Sequence, residues 1–489
     1  MDGTAIGAAG GELFPGYVGR RGPAAGVRDP GGVTDVQRMV VVGASLAGLR
    51  AVEGARRAGF DGPITLIGAE SHLPYDRPPL SKAFLEGGSQ GSFQGSSNGS
   101  APDTPPLRTE QALRAELGVD LVLGAPATGL DAAARTVLVG ERSYPYTALV
   151  IATGSRARSL PGTERVGRVH TLRTVDDARR IRAGLDAGGH VVVVGAGFIG
   201  SEVASAARRR GLPVTVVELQ ATPLMHAVGE VVGRACAGLH LRAGTVLRCG
   251  VGVASVSGSG GLSGSGGSGG SGGPGGSGGS GGHGGSDGSG GGAVQRVVLT
   301  DGTVLPAGLV VVGTGARPAT DWLDGSGLAV DDGVDDGVVC DERLSAGVPG
   351  VYAAGDVARW RHPLFGRRLR VEHWTNAAEQ GLAAGRNAAD PPAATPYAGV
   401  PYFWSDWYGH RIQLVGLAAT DEVRIVDGDP DGEYLVALYR DGARLGGAIT
   451  INGPGEVMRY RGLILRGASW RDGLDLAAAR RSARLAATA

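Results

Sequence analysis

An α/β architecture of two strand–helix alternating units, closed by an α+β segment, is predicted for this 489-residue chain on three observations. A valine-rich strand, a glycine turn and an apolar helix start occur together at Met39 (MVVVGASLAG) and again at Val191 (VVVVGAGFIG). Short apolar runs then alternate with helical stretches as far as about residue 366, the pattern of a parallel sheet wound with helices. Beyond that the alternation stops. PYFWSDWYGHRIQLVG, EYLVALYR and RLGGAITING read as successive strands, followed by the helical LDLAAARRSARLAA.

Taken in order, residues 1–35 are glycine-rich and aperiodic, and predict a disordered extension without the compact apolar stretch of a signal peptide. The first unit spans 36–162, with strands in RMVVVG, PITLIGAE and ALVIATGS around the helix LAGLRAVEGARRAG. Within it, EGGSQGSFQGSSNGSAPDTPP at 86–106 predicts a flexible insert. The second unit spans 163–307 and contains VVVVG, LPVTVVE and VQRVVL. A nearly pure Gly/Ser tract at 257–292 interrupts it; such a composition buries no apolar surface and predicts a flexible, disordered coil. Loop-closure cost grows only logarithmically with length, so a surface hairpin can carry it. Residues 308–366, with VVVGTGARP and GVYAAGDVA, bring the chain back to the first unit, and 367–489 form the α+β domain.

Composition removes several function classes. Lys plus Arg and Asp plus Glu both number 47, so neither nucleic acid nor an anionic membrane is an expected partner. The apolar runs fall short of the roughly 18–20 residues that span a bilayer. Three cysteines (Cys236, Cys249, Cys340) form no C-x-x-C pair and predict reduced thiols in a cytoplasmic protein. His283 and Asp287 in the glycine tract lack a second ligand cluster, so no metal is expected.

The repeated turn carries the chemistry. Gly195, Gly197 and Gly200 complete G-x-G-x-x-G, leading into Phe198 and Ile199; Gly43, Ser45 and Gly48 are the earlier copy, with Ala47 beside the third glycine. This is the fingerprint of a Rossmann-like dinucleotide-binding unit, in which a diphosphate sits on a helix N-terminus. An acidic residue should end the second strand and accept from a ribose hydroxyl; Glu70 does so in the first unit and Glu218 in the second. Two such units imply a flavin dinucleotide in one and a nicotinamide dinucleotide in the other, FAD and NAD. A carboxylate at Glu218 repels a 2'-phosphate, and ELQATPL offers no arginine to reverse this, so NADH is the expected coenzyme.

With these motifs in place the chain resembles the FAD-dependent NADH:ferredoxin reductases that serve cytochromes P450 and ring-hydroxylating oxygenases, the putidaredoxin reductase type. The resemblance runs over about 38–489 outside the two inserts and rests on LPYDRPPLSK, LVIATGS, VVVGTGARP, GVYAAGDVA, VEHWTNAAEQG and PYFWSDWYGHRIQLVG. It implies that Asp356 holds the flavin ribityl chain, that Arg77 and Lys82 contact the flavin, and that Thr153 and Gly154 lie along it. Trp374 is implied beside the ring, Lys82 as a cation stabilising the reduced flavin, and Glu202 as the partner holding that lysine. Gly315 joins the NAD site, whereas His373 is expected to be structural. Thr147 stands where the family usually has aspartate, and Trp407, where it usually has glutamine, alters the expected C-terminal surface.

The implied reaction is hydride transfer from NADH to FAD, then single electrons to a transiently bound ferredoxin-type iron–sulfur protein, by a monomer or homodimer. LPYDRPPLSKAFL has no cysteine pair, which excludes disulfide reduction. Two alternatives stand beside it: an NADH oxidase or a rubredoxin- or monodehydroascorbate-type reductase, and a non-catalytic NADH-sensing flavoprotein similar to apoptosis-inducing factor.

Overall fold

The computed structural model describes residues 37–86, 104–258, 294–331, 336–418 and 421–488. The N-terminal extension and most of the two expected inserts therefore lie outside the described residues.

Met39–Val42 sits at the centre of a parallel sheet, between Ile64–Ile67 and Ala148–Ile151; Val119–Val122 and Val351–Ala353 form its edges. All four residues of the central strand are buried, as a parallel strand covered on both faces requires. The second sheet repeats the plan: Val191–Val194 lies between Val214–Glu218 and Leu309–Val312, with Val246–Cys249 and Val169–Thr171 outside. The expected return to the first unit at residue 308 is thus too early. Leu309–Val312 is buried in register with Val191–Val194, and the chain crosses back only afterwards. There Ala316–Pro318 pairs antiparallel with Ser155–Ala157, the outgoing segment.

The boundary at 367 also needs correction. The helix Trp374–Ala389 packs along the first helix, Leu46–Arg57, and its Ala383, Ala384 and Ala388 join the first unit's core. Small residues allow this approach. A Cβ added at Gly385 would lie 1.9 Å from the carbonyl oxygen of Ala51, and one at Gly54 2.3 Å from that of Leu382.

The terminal domain begins its sheet at Tyr402. Five antiparallel strands run in the order Tyr402–Trp407, His410–Gly416, Arg444–Ile451, Leu435–Asp441, Glu422–Gly428. The helices Glu456–Leu465 and Trp470–Thr488 follow. Strand alternation turns Phe403, Ser405 and Trp407 inward. Trp407 is therefore not a surface residue at all; it is 0 % exposed, in a core shared with Phe198, Val232 and Leu414. No helix among the described residues is long and apolar enough to cross a membrane.

Val253–Gly258 pairs antiparallel with Val294–Leu299, so Ser257 and Gly258, expected in the glycine tract, are strand residues. Because Gly258 stands opposite Val294, the tract joins two adjacent strand ends. Replacing residues 259–293 by a turn of about four residues, a common hairpin length, is expected to leave flavin content and NADH oxidation within about twofold of wild type. A folded deletion variant without activity would give the tract a role beyond linkage.

Candidate functional site

Both glycine turns are built alike. Gly43 and Gly195 have φ of +117° and +97°, which side-chain-bearing residues rarely adopt, and a Cβ at either would strike a neighbouring carbonyl oxygen, Ala152 at 2.1 Å or Gly313 at 2.5 Å. Each turn opens a helix, Leu46–Arg57 or Phe198–Arg209, whose first N–H groups have no intrahelical partner. Gly48 and Gly200 lie beneath the turns: a Cβ there would lie 1.9 and 2.2 Å from the carbonyl oxygens of Gly43 and Gly195.

A cleft of about 460 Å³ starts at the first turn. Gly43, Ser45, Ala47, Glu70, Arg77, Lys82, Thr153, Gly154, Asp356 and Trp374 all line it, and so do Phe198, Ile199 and Glu202. Gly48, Gly195, Gly197, Gly200, Glu218 and Gly315 do not; apart from Gly48, they belong to the second turn and its surroundings. The helix Phe198–Arg209 therefore serves two places. Its N-terminus sits on the second turn, and its first side chains reach the cleft that begins at the first.

In the cleft wall Arg77 gathers polar groups. Its guanidinium donates to Glu70 Oε1 (2.5 Å), to the Arg173 carbonyl (2.5 Å) and to Ser45 Oγ (3.3 Å). Tyr75 donates to the other oxygen of Glu70 at 2.6 Å. Buried Asp356, also in the wall, accepts from Ser155 Oγ at 2.9 Å and from Arg173 Nη2 at 2.7 Å. The backbone N–H of Gly355 donates to Gln380 Oε1 at 2.7 Å, fastening this turn to the Trp374–Ala389 helix.

Lys82, Glu202 and Trp374 also line the cleft. The Pro78–Ser81 turn, whose two prolines fix φ, delivers Lys82; its Nζ lies 2.8 Å from Glu202 Oε1. Trp374 Nε1 donates to Asp76 Oδ1 at 2.6 Å. Burial pushes the Asp76 carboxyl above its ordinary range, against the opposing pull of the indole N–H and of Lys82. Burial also lowers His373 to about 4, so its imidazole is neutral near pH 7. His373 Nδ1 is buried without a protein partner.

Outside the cleft, Glu218 accepts from the backbone N–H of Ala196 (2.7 Å) and of Gln220 (2.9 Å), which aims its carboxylate across the second turn. Arg173, Ser155 and Gln380 were not among the expected site residues. Ser155 directly follows Thr153–Gly154 and is the last residue of LVIATGS, so the motif itself offered it. Gln380 lies within VEHWTNAAEQG and could have been taken from that motif, whereas Arg173 carries no local signal: it meets Asp356 across 183 residues.

These features fit a flavin dinucleotide. The turn leaves room only where a Cβ is absent, cations and hydroxyls cluster where a diphosphate would lie, and the unpartnered imidazole nitrogen belongs to a residue of the cleft wall. No cysteine lines it, which leaves no protein disulfide to accept electrons there.

Comparison with known proteins gives a consistent picture. The model of the pyridine nucleotide-disulphide oxidoreductase family matches residues 37–273 and 281–381, and the reductase C-terminal model matches 402–482. The ferredoxin–NAD(+) reductase component of the anthranilate 1,2-dioxygenase system of Burkholderia cepacia is 34 % identical over 438 residues, covering 88 % of this chain and 94 % of that protein. The ferredoxin reductase for the CYP199A2 system of Rhodopseudomonas palustris is similar in structure, with a TM-score of 0.75, 30 % identity, and 88 % and 95 % of the two chains covered. The reductase in a covalent putidaredoxin reductase–putidaredoxin complex also has a TM-score of 0.75, with 29 % identity and 91 % and 99 % coverage.

Proposed function

The chain belongs to the pyridine nucleotide-disulphide oxidoreductase family and carries its reductase C-terminal domain, and from that premise we propose an NADH-dependent flavoprotein that reduces a ferredoxin-type iron–sulfur protein. One observation carries the reading: a single cleft is walled both by the first glycine turn and by the helix that opens on the second. A ligand anchored at each turn would meet the other there. Bound FAD would supply the conversion of a two-electron donor into two single-electron transfers.

The chain's own residues then divide the work. The first turn, Ser45 and Arg77 bind a diphosphate, and Glu70, oriented by Arg77 and Tyr75, accepts from the adjoining ribose. Asp356, held by Ser155 and Arg173, accepts from the ribityl hydroxyls. Thr153, Gly154 and Trp374 wall the ring, and Lys82 sets a positive charge beside it, oriented by Glu202. Gly195, Gly197, Phe198, Ile199 and Gly315 receive the second dinucleotide, and Glu218 its 2'-hydroxyl. The unpaired thiols fit a cytoplasmic protein, and the relative crystallised in a covalent complex with putidaredoxin supports a ferredoxin-type partner.

The purified protein is expected to be yellow, with about one FAD per chain, bleached anaerobically by NADH, and to reduce a ferredoxin from a panel faster than oxygen or quinone. A colourless folded protein that cannot be reconstituted with FAD would sink this reading.

Coenzyme choice is testable separately. Glu218→Ala combined with Leu219→Arg removes a charged hydrogen bond and adds a phosphate-binding cation. The NADPH-to-NADH preference ratio is expected to rise about tenfold to a hundredfold, since such a bond contributes roughly 1.5–3 kcal/mol. Equal use of both coenzymes by the wild type would remove Glu218 from this role.

A further inference from the structure

Glu202 is 5 % exposed and carries more than its lysine. Ser81 Oγ lies in hydrogen-bonding contact with its Oε2, and Ser405 Oγ with its Oε1. Ser81 comes from the turn that presents Lys82. Ser405 comes from the first strand of the C-terminal sheet and is 1 % exposed. Neither Ser405 nor its neighbour Trp407 lines the cleft.

The direction of these bonds is fixed by chemistry. Trp407 Nε1 lies 2.7 Å from Ser405 Oγ, and an indole N–H can only donate. Ser405 thus accepts from the indole and has its single proton left for Glu202. The tryptophan allows one orientation.

Trp407 itself is fixed by full burial, with ring centroids 5.3 Å from His240 and 6.3 Å from Phe198. A carboxylate this far from water is tolerable only if its oxygens are satisfied. Here each oxygen has a hydroxyl donor, and Oε1 also has the ammonium of Lys82.

We propose that Ser405 is a positioning residue of the reductase site: its hydroxyl, oriented by Trp407, fixes Glu202 and so holds Lys82 beside the flavin. The C-terminal sheet would then act on coenzyme oxidation as well as covering the cleft. This rests on the reductase reading above, in which Lys82 favours reduced flavin.

Ser405→Ala removes the hydroxyl with almost no change in volume and is the main test. Its FAD content is expected to match wild type. The limiting rate of flavin bleaching by NADH should fall about tenfold, as for one lost hydrogen bond to a charged group. NADH affinity should stay within about twofold, the limiting rate alone carrying the loss, and the midpoint potential of the bound flavin should become more negative. Trp407→Phe, which keeps an aromatic ring and deletes the N–H, should move rate and potential the same way. Trp407→Gln, which restores a donor, should recover most of both. A purely structural role would lower the melting temperature of these variants and leave the potential alone.

Ser405→Ala with wild-type rate and potential, beside a wild type that NADH reduces normally, overturns this assignment and leaves the reductase reading standing. A Trp407→Phe defect that glutamine does not repair overturns the part given to Trp407. A wild type that takes up no FAD overturns the reductase reading and this assignment with it.

Discussion

Lys82→Met is expected to slow NADH-driven bleaching of the flavin about a hundredfold or more while FAD stays bound. Methionine keeps an unbranched chain one atom shorter than lysine and removes the ammonium, with its charge and its donors. The site is partly withdrawn from water, with the Lys82 side chain 19 % exposed and Glu202 5 %, so a fixed charge acts there with little solvent screening. Losing one preorganised donor to a developing anion costs about 2.7–4 kcal/mol, and each 1.36 kcal/mol is a factor of ten.

The substitution also strands Glu202 with two hydroxyls and no cation, which destabilises the fold. Lys82→Met with Glu202→Gln separates the two effects: stability should return, and the slow rate should remain. Glu202→Gln alone should be milder than Lys82→Met, because the lysine keeps its charge and loses only its tether. Stopped-flow reduction reads all three. A Lys82→Met rate within about twofold of wild type would leave the lysine no part in the reaction.

The second large effect is on folding. Gly385→Val places a branched side chain where even a Cβ would come within 1.9 Å of the Ala51 carbonyl oxygen. That atom is helix backbone and cannot swing aside, so the two helices must separate along a contact that fills the first unit's core. Overpacking usually costs about 1–3 kcal/mol; with backbone on the receiving side, at least about 3 kcal/mol is expected here. FAD retention should fall too, because Trp374 and Ala377 on the same helix line the cleft. Denaturant unfolding measures the first effect and flavin content the second. A valine variant within about 1 kcal/mol of wild type would mean the helices do not touch at Gly385.

These two sites show which parts of the molecule its sequence reveals. The glycine turns, the strands around them and the acidic residues after the turns are written locally and could be read directly; Glu218 ends its strand as expected, whereas Glu70 lies three residues past Ile64–Ile67. Lys82 and Glu202 were found through motif and resemblance. Their hydroxyl partners were not, because Ser405 and Glu202 stand 203 residues apart and only the docking of the C-terminal sheet brings them together. The helix Trp374–Ala389 lies in the stretch assigned to the α+β domain, yet it packs in the first unit. Its small residues are spaced to match those of the first helix, and spacing within one helix does not say which other helix it fits. Trp407 was misplaced for a related reason: strand alternation puts it inside, whereas comparison with the resembled family had suggested an outer surface.

The split of the first sheet also sets a timetable. Its central strand, Met39–Val42, leaves the ribosome early, but the edge strand Val351–Ala353 and the helix Trp374–Ala389 follow some three hundred residues later. At roughly 5–20 residues per second, that delay is about 15–60 s. All five strands of the second sheet lie between residues 169 and 312 and emerge within that interval. The newer half of the molecule can therefore close on the nascent chain while the older half still waits for its last strand, so the unit translated first is the last to be finished and to receive its pigment.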